Sequence, residues 1–528
     1  MIRRLCIFFV IMAAIVIYSI INTNSNRNTY IQHRDNITIK TIKNRIQNRY
    51  VSTSIKTNPT FTSDGNKQVT LNTTRLVTSE DNDKFFKKYW LLQREYVSNF
   101  TRILEPCINE TKWMSHYDTR KKHLHTSVKF SHVTLDIQPA GQFSRIVIFS
   151  KDLTNNQKTF GGDVWRVFVY GETSVPVTLH DRLDGSYEAI FLIMDPGLYY
   201  VNMHLDYTMC DGLKDPPQNW FVNGNAQGKY QPPHILSGNE RSFLDEKFPS
   251  SIRFQVQKKS SVFRTLKEKK WFHPKESCYM WDGFGRWFNN KTWEMYLTEP
   301  FTKKTDTHKE KGKGTLWIFG DSIGDFFYRA NINKQLCKKT FSTCNRTYNW
   351  VYDTHGDLKK AKLEDNDEDF SIERIVNELR QVIEKLDENS LLFLNYGLHF
   401  VQTIPFKKFQ TMLNAVIDLL KEKQKRKKRT SIIWKTTTAF QKWKWGDPKY
   451  NGRFSNDNRF LTTQRVQLFN AFASYQMCKS GFNVLDVYPM SLSYPAGTGT
   501  VLKPWDAVHY EPIVFKSVED YLAQYFDV

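Results

Sequence analysis

The hydrophobic period of this chain changes once, near residue 270, and that change limits what the chain can fold into. Between about 85 and 260, apolar residues recur in short alternating runs. VTLDI (133–137) puts Val133, Leu135 and Ile137 on one face. RIVIF (145–149), VWRVFVY (164–170), VPVTL (175–179), SYEAIFLIM (186–194) and LYYVNMHL (198–205) follow. Gly161-Gly162, Asp184-Gly185 and Asp195-Pro196-Gly197 supply turns between them. Six short strands at this spacing predict an antiparallel β-sandwich of the immunoglobulin-like kind. Asp163, Asp181 and Asp184 read as turn residues, because their spacing matches no metal-ligand loop.

Beyond about 270, strands alternate with helices. TLWIF (315–319), RTYNWVYD (346–353), LLFLN (391–395), SIIWK (431–435) and FNVLD (482–486) read as strands. SIERIVNELRQVIEKL (371–386) carries Ile372, Ile375, Val376, Leu379, Val382, Ile383 and Leu386 on one helical stripe. FKKFQTMLNAVIDLL (406–420), residues 461–479 and residues 514–525 read as further helices. This alternation predicts a three-layer α/β domain with a parallel sheet. Sites in such sheets lie at the carboxyl ends of the strands. The acidic run 364–369 and the basic run 421–429 flank helices with the sign that suits the helix dipole, and read as solvated helix ends.

The amino end sets the compartment. From Leu5 to Ile21 there are 17 residues without a charge, preceded by Arg3 and Arg4. This is the short edge of a spanning helix, and the arginines favour a cytosolic tip. We expect an uncleaved type II signal anchor (residues 1–24), a cleaved signal peptide being its rival. Residues 25–84, rich in Asn, Thr, Ser, Lys and Arg, read as a flexible stem. The sandwich is assigned to 85–260 and the α/β domain to 261–528. Of seven cysteines, Cys6 lies in the apolar run; the other six suit three disulfides in an oxidising compartment, with no pairing assigned. N-x-S/T sequons at Asn36, Asn72, Asn99, Asn109, Asn290 and Asn345 agree with that side of a membrane. The chain carries a net charge of +21, which suits an acidic partner. The anchor argues against nucleic acid and leaves an anionic glycan or lipid.

Three short motifs carry chemistry. TLWIF runs into Gly320-Asp321-Ser322-Ile323-Gly324. A serine between a strand and a helix is exposed at the strand tip, and the helix start favours developing negative charge. Alone, this pattern also describes an ordinary turn. Asp506-Ala507-Val508-His509 supplies a base and an orienting carboxylate from one loop. That D-x-x-H spacing favours the SGNH hydrolase arrangement over an α/β-hydrolase. Asn395-Tyr396-Gly397-Leu398-His399-Phe400 ends another strand. Asn395, Gly397 and the Ser322 amide are expected to form an oxyanion hole. Gly320, Asp321 and His399 are expected to line the same position. No metal site is expected.

These motifs together resemble the neurexophilin and PC-esterase (NXPE) family. GDS (320–322), GLHF (397–400), IIWKTTT (432–438), LDVYPMSLSYP (485–495), WDAVHY (505–510) and ESCYMWDGFGRWFNN (276–290) resemble its PC-esterase half. KTFGGDVWRVFVY (158–170) and DRLDGSYEAIFL (181–192) resemble its neurexophilin-like module. The resemblance covers about residues 85–528. It implies a Golgi or secretory-pathway O-acetyltransferase with no bound cofactor, acetyl-CoA as donor, and a glycan or glycoprotein hydroxyl as acceptor. An esterase would use the same residues, and a non-catalytic neurexophilin-like ligand would need none of them. Relatives commonly carry GDS-x-x-Arg, whereas this chain has Asp325 there, with Arg329 one turn later. Many vertebrate members lack the Asp of D-x-x-H, whereas Asp506 is present.

Overall fold

The computed structural model describes residues 79–113, 119–217, 243–258, 278–289, 291–296, 312–332, 334–351, 370–425, 430–450 and 458–526. They belong to one compact unit, Val77–Val528. The apolar run, residues 25–78 of the stem, the sequons at Asn36, Asn72 and Asn290, the acidic run and residues 426–429 lie outside the described residues; the stem's last residues, 79–84, are helical. Among the described residues, no helix is long and apolar enough to cross a membrane.

The first strands are β1 (His132–Asp136), β2 (Gln142–Phe149), β3 (Val164–Gly171), β4 (Ser174–Val175), β5 (Thr178–Asp181), β6 (Ser186–Ile193), β7 (Gly197–Tyr207), β8 (Glu246–Lys247) and β9 (Ile252–Val256). They are followed by β10 (Tyr279–Trp281), β11 (Gly285–Phe288) and β12 (Thr292–Met295). One antiparallel sheet has the order β1-β2-β6-β5. A second has the order β12-β11-β4-β3-β7-β8, with β9 also paired to β7. Ile146, Ile148, Ala189 and Phe191 of the first meet Trp165, Val167, Val169, Met203 and Leu205 of the second in one core. The stretch VPVTL is two strands rather than one. Pro176, which has no N–H for a ladder, separates β4 in one sheet from β5 in the other.

Helix α1 (Ser79–Tyr96) was not foreseen. Its Phe86, Tyr89 and Trp90 cover Phe143, Ile190 and Leu192 on the outer face of the first sheet. This explains why all eight residues of β6 are buried: a strand covered on both faces reads as a continuous apolar run instead of alternating. A short helix, α2 (Phe100–Leu104), follows, capped by the Asn99 side chain.

The second half is built on β13 (Thr315–Gly320), β14 (Thr343–Tyr348), β15 (Leu391–Leu394), β16 (Ser431–Lys435) and β17 (Asn483–Leu485). With β10 they form a parallel sheet of order β10-β17-β16-β15-β13-β14. The helices are α3 (Ser322–Asn331), α4 (Ile372–Ile383), α5 (Leu398–Thr403), α6 (Phe406–Gln424), α7 (Thr463–Lys479), α8 (Tyr488–Leu492) and α9 (Lys516–Phe526). Alternate strand residues serve opposite layers. Leu392, Leu394, Ile432 and Trp434 face α4, α6 and α7. Leu391, Phe393, Ile433 and Leu485 face α3 and α9.

Three disulfides form: Cys107–Cys210, Cys278–Cys478 and Cys337–Cys344. The first two close chain separations of 103 and 200 residues, and long loops are where a cross-link removes most freedom from the unfolded chain. Asp181 and Asp184 accept backbone hydrogen bonds in turns, from Leu183 and Ser186 respectively. Asp163 does not: it pairs with the buried Lys158 at 2.7 Å.

Candidate functional site

The carboxyl ends of β13, β15 and β16 converge, and the turns after them build the site. Asp321 caps α3, its Oδ1 accepting from the Ile323 amide at 3.0 Å. Its Oδ2 accepts from the Leu398 amide at 3.0 Å. One buried carboxylate thus ties the β13–α3 turn to the β15–α5 turn. Gly397 permits that tie, because a Cβ there would overlap the Asp321 carboxylate.

Ser322 opens α3 and is half-buried. Its Oγ lies 2.8 Å from Nε2 of His509, and Nδ1 of His509 lies 2.7 Å from Oδ2 of Asp506. Asp506 Oδ1 accepts from the amides of Val508 at 2.8 Å and His509 at 3.0 Å. Burial pushes the Asp506 carboxyl up, but hydrogen bonds from the His509 ring and these amides outweigh it and hold it below the usual range. The aspartate therefore stays ionised while fixing the ring.

The loop is braced from beneath. The Gln441 amide donates to Ala507 O at 2.8 Å and the Gly499 amide to His509 O at 2.6 Å. Lys444 Nζ donates to the carbonyls of Pro504 and Thr498. The Phe326 ring stacks on His509 with centroids 4.6 Å apart. Phe326 stands four residues after Ser322, so both share one face of α3, a spacing that could have identified it.

Other expected site residues have different roles. Asn395 is not an oxyanion donor: its Nδ2 donates to Lys435 O at 2.8 Å and Thr437 Oγ1 at 3.2 Å. Both N–H bonds of the amide are engaged in joining β15 to β16. Asp321 likewise holds backbone rather than substrate. Gly320 is not demanded by a sharp turn, since a Cβ there would meet only ordinary contacts. It ends β13 opposite Tyr348. Asp325, in the place where arginine was expected, pairs with Arg329 at 2.7 Å and also with Arg346 of β14.

His399 faces the site. Its Nε2 lies 3.1 Å from the Tyr348 hydroxyl, and its ring centroid 4.2 Å from that of Trp350. Burial lowers its pKa, the Asp321 carboxylate opposes this, and the neighbouring His509 adds to it. Tyr348 was missed. The sequence places it near the start of a strand over 346–353, whereas the strand ends on it. The residue is 44% exposed, with its hydroxyl against His399. Burial, with the Asp321 charge, pushes the phenol up to about 12, while hydrogen bonding with the Ser322 hydroxyl and amide pulls the other way. Among the described residues, no group of three His, Cys, Asp or Glu side chains could hold a metal ion. Chemically, the arrangement has an alcohol aligned with an imidazole, which in turn leans on an ionised carboxylate. That combination can deprotonate the alcohol as it attacks an acyl carbon.

No family model matches the chain, and no curated protein matches it. Among solved structures, a lipase/acylhydrolase from Enterococcus faecalis is 15% identical, with 40% of this chain and 93% of that one covered and a TM-score of 0.26. The periplasmic domain of a lipopolysaccharide acetyltransferase from Salmonella ser. Paratyphi A is 12% identical, with 40% and 84% covered and a TM-score of 0.25. The Lin-41 filamin domain is 17% identical, with 15% and 80% covered and a TM-score of 0.14. At scores this low the likenesses settle neither fold family nor function.

Proposed function

We propose that this chain is a serine-dependent acyl-transfer enzyme of the SGNH type that moves an acetyl group onto a glycan hydroxyl. The alignment of Ser322 Oγ, the His509 ring and Asp506, at 2.8 and 2.7 Å, carries the reading. Ser322 Oγ attacks the acyl carbon of the donor while its proton passes to His509 Nε2. The tetrahedral adduct collapses, the donor's leaving group departs with that proton, and an acyl-serine remains. The acceptor hydroxyl then gives its proton to His509 and attacks the acyl carbon, and collapse breaks the bond to Ser322 Oγ, which takes that proton back from His509. Asp506 holds the imidazole and offsets its transient charge.

The acceptor and the donor rest on the NXPE resemblance, which names a glycan or glycoprotein and acetyl-CoA. So does the Golgi, whereas the Leu5–Ile21 anchor and the secretory side rest on the uncharged run and the arginines before it. A net charge of +21 suits an anionic glycan. Hydrolysis of the same acyl-serine is the second reading, supported by a Ser322 that is only half-buried and within reach of water.

The test offers the full-length protein acetyl-CoA and a glycan panel, beside Ser322→Ala. Acetylated glycan from the wild type alone is the expected result. Acetate release without transfer selects the esterase. Equal acetylation by both forms removes the serine mechanism.

A further inference from the structure

An acyl-transfer site needs donors where the carbonyl oxygen becomes an oxyanion, and a single amide is a weak provision. With the Asn395 amide engaged in the scaffold, the Ser322 N–H at the start of α3 needs a companion. The parallel register provides one. Tyr348 ends β14 directly beside Gly320, two residues before Ser322. β14 is the edge strand of the sheet among the described residues. The Tyr348 hydroxyl lies 3.1 Å from His399 Nε2, and the hydroxyl and amide of Ser322 are near enough to oppose the rise of its pKa. It stands where the oxygen of a bound acyl group would sit or touch.

We propose that Tyr348 is a catalytic residue whose hydroxyl is the second oxyanion donor, with His399 as its positioning residue. This rests on the serine acyl-transfer reading. As Ser322 Oγ bonds to the acyl carbon, the carbonyl π pair moves onto oxygen. That oxygen accepts from the Ser322 N–H and from the Tyr348 O–H. The serine proton goes to His509, and collapse returns the pair to the carbonyl. Tyr348 keeps its proton throughout, consistent with a phenol that ionises only near pH 12. His399, kept neutral by burial, steadies the phenol through Nε2, and Trp350 packs against the imidazole.

Hydrolysis of 4-nitrophenyl acetate by the full-length protein tests this, with wild type, Ser322→Ala, Tyr348→Phe, His399→Leu and the Tyr348→Phe/His399→Leu double variant. Tyr348→Phe keeps the ring and so the fold. It should lose about 10²-fold in kcat with KM little changed, and keep the wild-type pH profile, because the base is untouched. His399→Leu should lose less. In the Tyr348→Phe background it should cost almost nothing further, since a positioning residue has then nothing to position. Unaltered kcat in Tyr348→Phe, or additive losses in the double variant, would overturn the assignment while an inactive Ser322→Ala leaves the serine mechanism standing. A wild type that hydrolyses no ester, or a Ser322→Ala as active as wild type, overturns both.

Discussion

Two polar clusters in this molecule are made of the same kinds of group and differ in what surrounds them. In the sandwich, Lys158 Nζ lies 2.7 Å from Asp163 Oδ1, and the hydroxyls of Thr126 and Thr208 donate to the same carboxylate at 2.6 and 2.8 Å. The two charged side chains are 2% and 0% exposed. In the α/β half, His509 and Asp506 are 23% and 17% exposed, with Ser322 beyond them. The sandwich cluster is saturated: a cation and two hydroxyls converge on one anion. The second is a line ending in an alcohol that water and substrate can reach. Burial with full satisfaction makes a brace, whereas an open end makes a reactive group.

The largest expected effects separate the two. Ser322→Ala should reduce kcat/KM for an aryl ester by at least about 10³-fold, and Asp506→Asn by about 10²–10⁴-fold. Ser322→Ala should leave the urea midpoint close to that of the wild type, and Asp506→Asn should lower it only modestly, by the loss of a carboxylate that hydrogen bonds hold ionised. Lys158→Met should do the reverse. It leaves the buried Asp163 charge uncompensated, at a cost of about 3–5 kcal/mol in unfolding free energy, while the folded fraction keeps its kcat. Replacing both, as Lys158→Met with Asp163→Leu, should restore most of that loss. A Lys158→Met protein of normal stability but low kcat would collapse the distinction.

The same contrast shows what a single sequence can carry. The strands of the sandwich were legible where one face meets solvent, as in VTLDI and VWRVFVY. IRFQV (252–256) alternates buried and exposed and was overlooked because it stands far from the other runs. The cover α1 was not legible, since it runs across the boundary drawn at 84 between the polar stem and the sandwich, and mixes Lys and Asp with Phe and Trp. The convergence of Ser322, Asp506 and His509 was legible because each lies in a short motif after a strand, and a parallel sheet brings strand ends together. The direction of the Asn395 amide was not. Residue type shows that a donor exists, and only the neighbouring carbonyl of Lys435 decides where it points. Tyr348 depends on the register of two strands joined across residues 321–342, which no local pattern encodes. Lys158–Asp163 reads as an exposed turn until Thr126 and Thr208 arrive from distant segments.

Asp486, at the end of β17, is an intermediate case that sharpens the comparison by the smallest margin. It is buried like Asp163, yet its oxygen accepts only from neutral donors, Thr436 Oγ1 at 2.8 Å and the Tyr488 amide at 3.1 Å. Burial therefore pushes its carboxyl up to about 7, against the pull of those hydrogen bonds. For an acid raised in this way, the folded protein holds a proton that the unfolded chain releases near pH 4. Its contribution to stability is greatest below that point. It declines as pH rises through the window from about 4 to 7, and is flat above. Asp486→Asn keeps the acceptor oxygen and removes the charge. The variant should match wild type near pH 4 and become more stable with rising pH, by about 2 kcal/mol at pH 8, against a linkage ceiling of about 4 kcal/mol. Urea midpoints of both proteins across pH 4–8 measure the difference. A constant offset over that range would mean that Asp486 is ionised throughout, and that a buried carboxylate here tolerates its charge without the cation that Asp163 has.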